Sequence, residues 1–397
     1  MSKQLERVHF QSGKVGIIAF SHFLHDIYPA FLPVMLPLLI DKIGFSLTMA
    51  GMLPIFLRFP TLFNPIIGNF ADRFPMRYVV IFTPAITAIA MSMTGLAESY
   101  FVLALLLTVA GFSSALYHLP TPVMIKRAAG SRLGTGMSFY MTGGELARSA
   151  GPLVIMLGLE IWPMEETYKL MFFGVAISAS LYYLIRRDSI KNKMSKEKAK
   201  SGGILATIKK LKLFYLYLIG FVFTKVMLVI ASTFFLPVYF TDQGNSLWFA
   251  GAGLSILQLS GAAGALTSGT LSDKIGRKNV LLIISISAPI VLVLFAFSSG
   301  WIVFPLLVVL GLLVFSVNPV LLAMVQEAEE EYPTAANSIF MTSNFVLSSL
   351  CALMFGFIGD MISLQTAYLI TAGIALTGVP LVFAIVRHSG RIPQQNQ

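Results

Sequence analysis

The chain alternates between long apolar stretches and short polar segments along its whole length. The stretches hold about 20 residues or more, which is enough for a helix to cross the hydrocarbon core of a bilayer. The pattern therefore predicts an all-α integral membrane protein with twelve transmembrane helices. The first stretch contains polar residues and prolines, so we interpret it as a lasting helix rather than a cleavable signal peptide. The predicted helices lie near residues 14–40, 46–69, 78–98, 100–124, 135–160, 168–187, 213–241, 247–271, 279–299, 301–326, 336–362 and 366–387.

Composition and charge fit this interpretation. Only 12% of the residues are charged, against about 25% in soluble domains. With both termini placed in the cytoplasm, 23 of the 28 Lys and Arg residues fall in cytoplasmic segments, as the positive-inside rule requires. The net charge of +10 thus reflects topology, and we expect membrane lipids but no nucleic acid as partners. Cys351 is the single cysteine, which excludes an internal disulfide.

Two similar halves are indicated by a repeat at an offset of 200 to 204 residues. For example, Phe31–Val34 recurs as Phe235–Val238. A basic stretch at 188–212 predicts a cytoplasmic linker between two six-helix bundles, at 1–187 and 213–397. Equal topology in both bundles implies parallel repeats related by an axis along the membrane normal. Further pairs at this spacing are Gly51 and Gly251, Gly111 and Gly311, and Ser138 and Ser338.

One turn between helices carries the same residues in both halves. Asp72 follows Gly68 by four residues, Asp273 follows Gly269 by four, and basic residues come next in both places. Two six-helix halves, a basic central loop and this turn resemble the major facilitator superfamily. The segment Ser21–Pro33 is further similar to the first helix of fosmidomycin-resistance-type efflux proteins.

The resemblance implies a secondary transporter that works by rocking of its two halves. In relatives the repeated turn latches the halves on the cytoplasmic side and does not bind substrate. An ordinary solvated turn is the alternative. The residues that match this cytoplasmic gating turn are Gly68, Asp72, Arg73, Arg77, Gly269, Asp273, Gly276, Arg277 and Lys278.

Ionisable side chains inside the predicted helices are the main functional candidates, because such groups are costly in a bilayer. His22 and Asp26 share one face of the first helix, and His25 lies beside them. We interpret Asp26, His22 and His25 as proton-coupling residues. Alternatively, Asp26 satisfies backbone groups freed by nearby prolines, or His22, Asp26 and His118 hold a metal ion. Since no spacing requires a metal, we expect neither a metal nor another cofactor.

The fifth predicted helix carries Glu145 and Arg148, spaced to form an ion pair within the helix. An anionic substrate could displace Glu145 from Arg148, after which the freed carboxylate would take up a proton. Glu145 is therefore a further proton-coupling candidate, and a static pair that fixes helix packing is the alternative. Gly151 and Pro152 resemble part of the superfamily's antiporter motif, although that motif is incomplete here.

The remaining buried cations point to an anionic or zwitterionic substrate. Arg58, Arg148 and Lys225 outnumber the acids Asp26 and Glu145, and arginine suits bidentate recognition of carboxylates, phosphates and phosphonates. Alternatively, Arg58 pairs with Asp26, or Lys225 extends toward an interface. The other candidate substrate-binding residues are polar: His118, Tyr28, Tyr117, Tyr140, Asn318 and Asn344.

Together these features favour a proton-coupled exporter of a small anionic, zwitterionic or amphiphilic compound in the cell membrane. No phosphate-binding Gly-Lys-Ser/Thr loop is present, so we expect no nucleotide chemistry. We also expect a monomer and no enzyme activity, because no nucleophile or acid–base pair stands out near a membrane interface. Two alternatives stay open: an exporter of a metal-chelating metabolite, and a metabolite uptake symporter. A lipid flippase and a membrane enzyme are less favoured.

Overall fold

The backbone is helical in nearly all of the chain that the structure describes. The computed structural model describes residues 10–63, 76–185, 203–329 and 332–388. The α-helices are α1 Ser12–Asp26, α2 Phe31–Ile43, α3 Leu47–Arg58, α4 Met76–Ser92, α5 Tyr100–His118, α6 Thr121–Ala129, α7 Leu133–Ile161, α8 Met171–Ile185, α9 Gly203–Lys210, α10 Lys212–Thr233, α11 Leu236–Asp242, α12 Leu247–Ile275, α13 Arg277–Ala296, α14 Val303–Ala328, α15 Pro333–Met361, α16 Leu364–Leu376 and α17 Gly378–His388. Short 3-10 helices lie at Phe59–Phe63, Met93–Leu96, Gly130–Arg132, Met164–Leu170 and Gly300–Ile302.

Nine helical stretches among the described residues are long and apolar enough to cross a membrane. The prediction of an all-α, multi-pass membrane protein is therefore confirmed, while the count of twelve spans stays a prediction. The predicted linker lies partly outside the described residues, and its last part forms α9.

Two of the apolar stretches are broken at prolines rather than continuous. The stretch Ser12–Ile43 divides into α1 and α2 around Pro29, and the stretch Tyr100–Ala129 divides into α5 and α6 at Pro120. Proline lacks a backbone N–H and clashes with the preceding helical turn, which accounts for these breaks. The breaks follow directly after Asp26 and His118, so both residues lie at helix ends inside long apolar stretches.

The chain forms two compact units. The first consists of Met1–Phe45 with Leu53–Lys196, and the second of Ser46–Met52 with Glu197–Gln397. One apolar cluster of the first unit joins α1, α4, α5, α6, α7 and α8. In the second unit, aromatic rings of α11, α13, α15 and α16 pack against one another.

The internal repeat extends to backbone geometry and to close contacts. Gly44 and Gly244 both adopt a left-handed conformation at the end of a helix, with φ of 76° and 78°. A Cβ atom on Gly111 would lie 2.3 Å from the Leu57 carbonyl oxygen, and one on Gly311 would lie 2.3 Å from the Leu257 carbonyl oxygen. Each of these residues has its counterpart 200 positions later, so the same helix-to-helix approach is built twice.

We expect Gly111→Ala and Gly311→Ala each to lower the thermal stability of the detergent-solubilised protein. The added methyl group must push two backbones apart, and overpacking of this kind costs about 1–3 kcal/mol. Gly373→Ala is the matched control, because a Cβ atom there meets nothing within 4 Å. Equal melting temperatures for all three variants would show that these contacts do not hold the helices together.

Candidate functional site

The first unit contains a cluster of four ionisable side chains, which we call the histidine–aspartate cluster: His22, His25, Asp26 and His118. Asp26 Oδ2 lies 3.1 Å from His22 Nε2, and Asp26 Oδ1 lies 2.8 Å from His25 Nδ1 and 3.3 Å from His118 Nε2. The His25 side chain is fully buried, Asp26 is 18% exposed and His118 is 38% exposed. The structure thus brings together three residues predicted for proton coupling and one predicted for substrate binding.

Two tyrosines predicted as substrate-binding residues hold the imidazole rings in place. The Tyr117 ring stacks on His25 at 4.2 Å between centroids, and the Tyr140 ring stacks on His22 at 4.0 Å. The Tyr140 carbonyl accepts a hydrogen bond from His22 Nδ1 at 2.7 Å. The Tyr140 hydroxyl lies 3.2 Å from His118 Nδ1. Both tyrosines are buried, and they position the cluster.

A chain of hydroxyl groups continues from the cluster into the bundle. His25 Nε2 lies 3.0 Å from the Thr87 hydroxyl, which lies 2.9 Å from the Ser113 hydroxyl. Ser113 in turn reaches the Thr83 carbonyl at 2.9 Å. These residues were not identified from the sequence, since isolated Ser and Thr residues are common in membrane helices and carry no periodic signal.

Glycine residues let α7 approach α1 closely enough to complete the site. A Cβ atom on Gly143 would lie 2.4 Å from the Ala19 carbonyl oxygen, and one on Gly144 would lie 2.6 Å from His22 Cε1. Any larger residue would displace the imidazole ring of His22. The pair therefore places Tyr140 next to the histidines.

A second charged group in the first unit consists of Glu145, Arg148 and Arg58. Arg148 Nη2 donates to Glu145 Oε1, so the ion pair predicted within the helix is present. Arg58 ends α3 with an exposed side chain, and the positive charge of Arg148 acts on it. The alternative, a pairing of Arg58 with Asp26, is not formed. Arg58 makes no ion pair with any residue in the described part of the chain.

The second unit contains a different polar contact. Lys225 Nζ donates to Asn318 Oδ1 at 2.7 Å, and the lysine side chain is buried at 5% exposure. Two other candidates donate to backbone carbonyls. Tyr28 donates to Leu170 at 3.0 Å, 142 residues away in sequence, and Asn344 donates to Phe340 at 3.0 Å within the same helix. These contacts do not bring Tyr28 or Asn344 into the histidine–aspartate cluster.

The second copy of the predicted gating turn, at residues 269–278, lies within the part of the chain that the structure describes. Arg277 Nε donates to both carboxylate oxygens of Glu327, at 3.0 and 2.8 Å, and Arg277 Nη2 lies 3.4 Å from Asp273 Oδ1. Gly276 has φ of 87°, a conformation that favours glycine. Glu327 as the partner of Arg277 was missed, because the two are 50 residues apart in sequence.

Two other basic residues of the gating turn lie close to aromatic rings. Lys278 Nζ lies 4.6 Å from the centre of the Phe383 ring, and the Arg77 guanidinium lies 5.0 Å from the centre of the Tyr78 ring. A Cβ atom added to Gly269 would meet no other atom within 4 Å. The residues Gly68, Asp72 and Arg73 lie outside the described part of the chain.

Comparison with known proteins identifies the family. Residues 18–349 match the model of the Major Facilitator Superfamily. The chain therefore belongs to the major facilitator superfamily, a family of membrane transporters.

Similar proteins agree with this assignment. The fosmidomycin resistance protein of Escherichia coli (strain K12) is 25% identical over 376 residues, which cover 94% of this chain and 92% of that protein. An uncharacterised MFS-type transporter of Bacillus subtilis (strain 168), YfnC, is 24% identical over 78% of each chain.

Solved structures show the same fold at lower identity. The nucleoside transporter NupG has a TM-score of 0.73 with 20% identity, covering 95% of this chain and 98% of its own. A POT family transporter in complex with a thioalcohol-conjugated peptide has a TM-score of 0.75 with 13% identity, covering 97% and 99%. The predicted fold class and the predicted family resemblance are both confirmed.

We expect Thr87→Val to destabilise the protein by about 1–3 kcal/mol, because it removes the hydroxyl partner of a fully buried imidazole nitrogen. Thr83→Val is the matched control on the same helix. The Thr83 hydroxyl donates to the Val79 carbonyl within α4, so its loss leaves no side chain without a partner. Thermal unfolding of both variants tests this, and an equal loss in both would contradict it.

Proposed function

We propose that the protein exports a small organic zwitterion, which carries an oxyanion group and a cationic group, in exchange for protons. The observation that carries this proposal is the ion pair of Arg148 with Glu145 on α7, with Arg58 at the end of α3 as a second guanidinium group in the first unit. Two guanidinium groups act on each other there, and a single carboxylate neutralises one of them. An added anion would relieve the repulsion between the two arginines.

The chemistry of arginine defines the substrate class. A guanidinium group presents paired N–H donors that match the oxygens of a carboxylate, phosphate or phosphonate. Arg58 has this donor set available, since no described residue forms an ion pair with it. A planar or tetrahedral oxyanion bridging Arg58 and Arg148 would use both donor sets.

Competition for Glu145 supplies the coupling between substrate and proton. The oxyanion group of a zwitterion binds the arginines, and its cationic group takes the place of Arg148 beside the Glu145 carboxylate. That positive neighbour keeps Glu145 ionised, so the carboxylate binds a proton less readily. A proton on Glu145 removes the charge that holds the cationic group, and the substrate leaves. Proton and substrate thus exclude each other, which is the requirement for antiport.

The direction of transport is inferred from relatives. The similar protein of E. coli is named for resistance to fosmidomycin, a phosphonate, and resistance is the expected result of export. A phosphonate is also an oxyanion of the class that Arg58 and Arg148 would bind. The two-unit fold is compatible with alternating access, the mechanism that the family resemblance implies.

Arg58→Gln and Arg148→Gln should each reduce transport of an organic phosphonate by at least about tenfold, since a charge-assisted hydrogen bond contributes about 1.5–3 kcal/mol. Uptake into inside-out vesicles, energised by an imposed pH gradient, measures this. Arg132→Gln is the matched control, because Arg132 is exposed in a 3-10 helix away from the charged group. If neither Arg58→Gln nor Arg148→Gln alters transport, the anion does not bind here.

Glu145→Gln should retain binding of the oxyanion group at the arginines but lose the response to the pH gradient. The amide cannot take up a proton, so net exchange against protons stops while substrate-for-substrate exchange continues. Transport in vesicles with and without a gradient separates the two activities. Glu98→Gln, in an exposed loop, is the control. A Glu145→Gln variant that still concentrates substrate in response to the gradient would place the coupling elsewhere.

A further inference from the structure

The hydrogen bonds around His22 determine which of its ring nitrogens carries a proton. Nδ1 lies 2.7 Å from the Tyr140 carbonyl oxygen, which can only accept, so Nδ1 is the donor. In the neutral imidazole, Nε2 then has a lone pair instead of a hydrogen. That lone pair faces Asp26 Oδ2 at 3.1 Å, so two hydrogen-bond acceptors meet with no hydrogen atom between them.

The same reasoning applies to His118. Thr121 donates its hydroxyl hydrogen to the Tyr117 carbonyl at 2.9 Å, so the Tyr140 hydroxyl is the donor toward Thr121 at 2.8 Å. The Tyr140 oxygen must therefore accept from His118 Nδ1. Neutral His118 then directs the lone pair of its Nε2 toward Asp26 Oδ1, 3.3 Å away.

Two lone pairs and one carboxylate thus converge on a small volume, where all three groups would stabilise a positive charge. Two additional protons would supply it only by making both rings imidazolium ions. The centroids of these rings lie 5.1 Å apart, and the ring of His25 lies 5.4 Å from that of His118. Like charges at this separation repel each other strongly away from bulk water. One divalent cation supplies the same charge at a single point.

We propose that His22 Nε2, His118 Nε2 and a carboxylate oxygen of Asp26 bind a divalent transition-metal ion. These three residues offer ligand atoms that all lie within 4.8 Å of one another. Bonds of about 2.0–2.1 Å to a tetrahedral ion place neighbouring ligands about 3.3–3.4 Å apart. His22 Nε2 lies 3.1 Å from Asp26 Oδ2, and His118 Nε2 lies 3.3 Å from Asp26 Oδ1, so each distance approaches this value at a different carboxylate oxygen.

The three proposed ligands have hydrogen-bond partners of the kind that metal ligands have in known metal sites. Histidine ligands usually donate their second N–H to a carbonyl or another oxygen, which fixes the tautomer and the ring orientation. Tyr140 accepts from both histidines, through its carbonyl and its hydroxyl. His25 donates to Asp26 at 2.8 Å and orients the carboxylate. The donor set of two imidazoles and one carboxylate favours Zn²⁺, Co²⁺ or Ni²⁺ over Mg²⁺ or Ca²⁺.

The proposed site opens on the side of His118, whose side chain is 38% exposed, while His22 is nearly buried. Three protein ligands leave a fourth tetrahedral position for water or for an oxygen atom of another molecule. The site lies in the first unit and does not depend on the proposed antiport through Glu145 and Arg148. The earlier interpretation of Asp26, His22 and His25 as proton-coupling residues stays a prediction.

Metal titration of the untagged, chelator-treated protein in detergent tests this inference. Co²⁺ should bind one equivalent with the visible absorption of a tetrahedral site, and Zn²⁺ should abolish that absorption. Asp26→Asn and His118→Gln should each weaken binding at least tenfold, and Tyr140→Phe about tenfold, as outer-shell partners do. His388→Gln is the control, because His388 ends α17 and contacts the Ala384 carbonyl.

Two results would overturn the inference. One is the absence of Co²⁺ absorption and of Zn²⁺ binding in the unaltered protein, which would indicate a site for protons alone. The other is unchanged affinity in folded Asp26→Asn and His118→Gln variants, with folding checked by gel filtration and thermal unfolding. The variant Glu145→Gln should bind metal normally, so failure of the metal site and failure of the antiport proposal are distinguishable.

Discussion

A carboxylate held inside an apolar helix bundle imposes the strongest constraint on the first unit. Asp26 could not remain there ionised without nearby donors or cations, because the low dielectric penalises an unpaired charge. Three imidazoles surround it at 2.8–3.3 Å. The break between α1 and α2, the close approach of α7 through Gly143 and Gly144, and the stacked tyrosines all contribute to that arrangement.

The two halves share a framework but not its chemistry. Turns, helix ends and glycine contacts recur at an offset of 200 residues, as Gly111 and Gly311 show. Apart from the repeated turn, the ionisable groups of the first unit do not recur in the second. The first unit holds the histidine–aspartate cluster and the arginine pair, whereas the corresponding polar contact of the second unit is Lys225 with Asn318. A duplicated scaffold thus leaves each half free to acquire different side chains where packing does not fix the residue.

Sequence reasoning succeeded where a side chain is unusual in its surroundings. His22, Asp26 and Glu145 were identified because charge is rare in apolar stretches, and their i, i+4 and i, i+3 spacings placed His22 with Asp26 and Glu145 with Arg148. It failed where a residue is ordinary by itself. Thr87 and Ser113 became part of the site only through packing, and Glu327 became the partner of Arg277 across two helices.

The sequence alone determined the membrane location, the helical class, the internal repeat and the residues with titratable chemistry. These follow from local properties: the length of apolar runs, the sidedness of basic residues and the spacing of side chains along one helix. Only the tertiary structure decided that His118 and Tyr140 meet His22 and Asp26, and in which orientation. Such contacts depend on how helices distant in sequence pack against one another. Breaks at prolines and close helix contacts at glycines fix that packing, and no local sequence pattern encodes which helices meet.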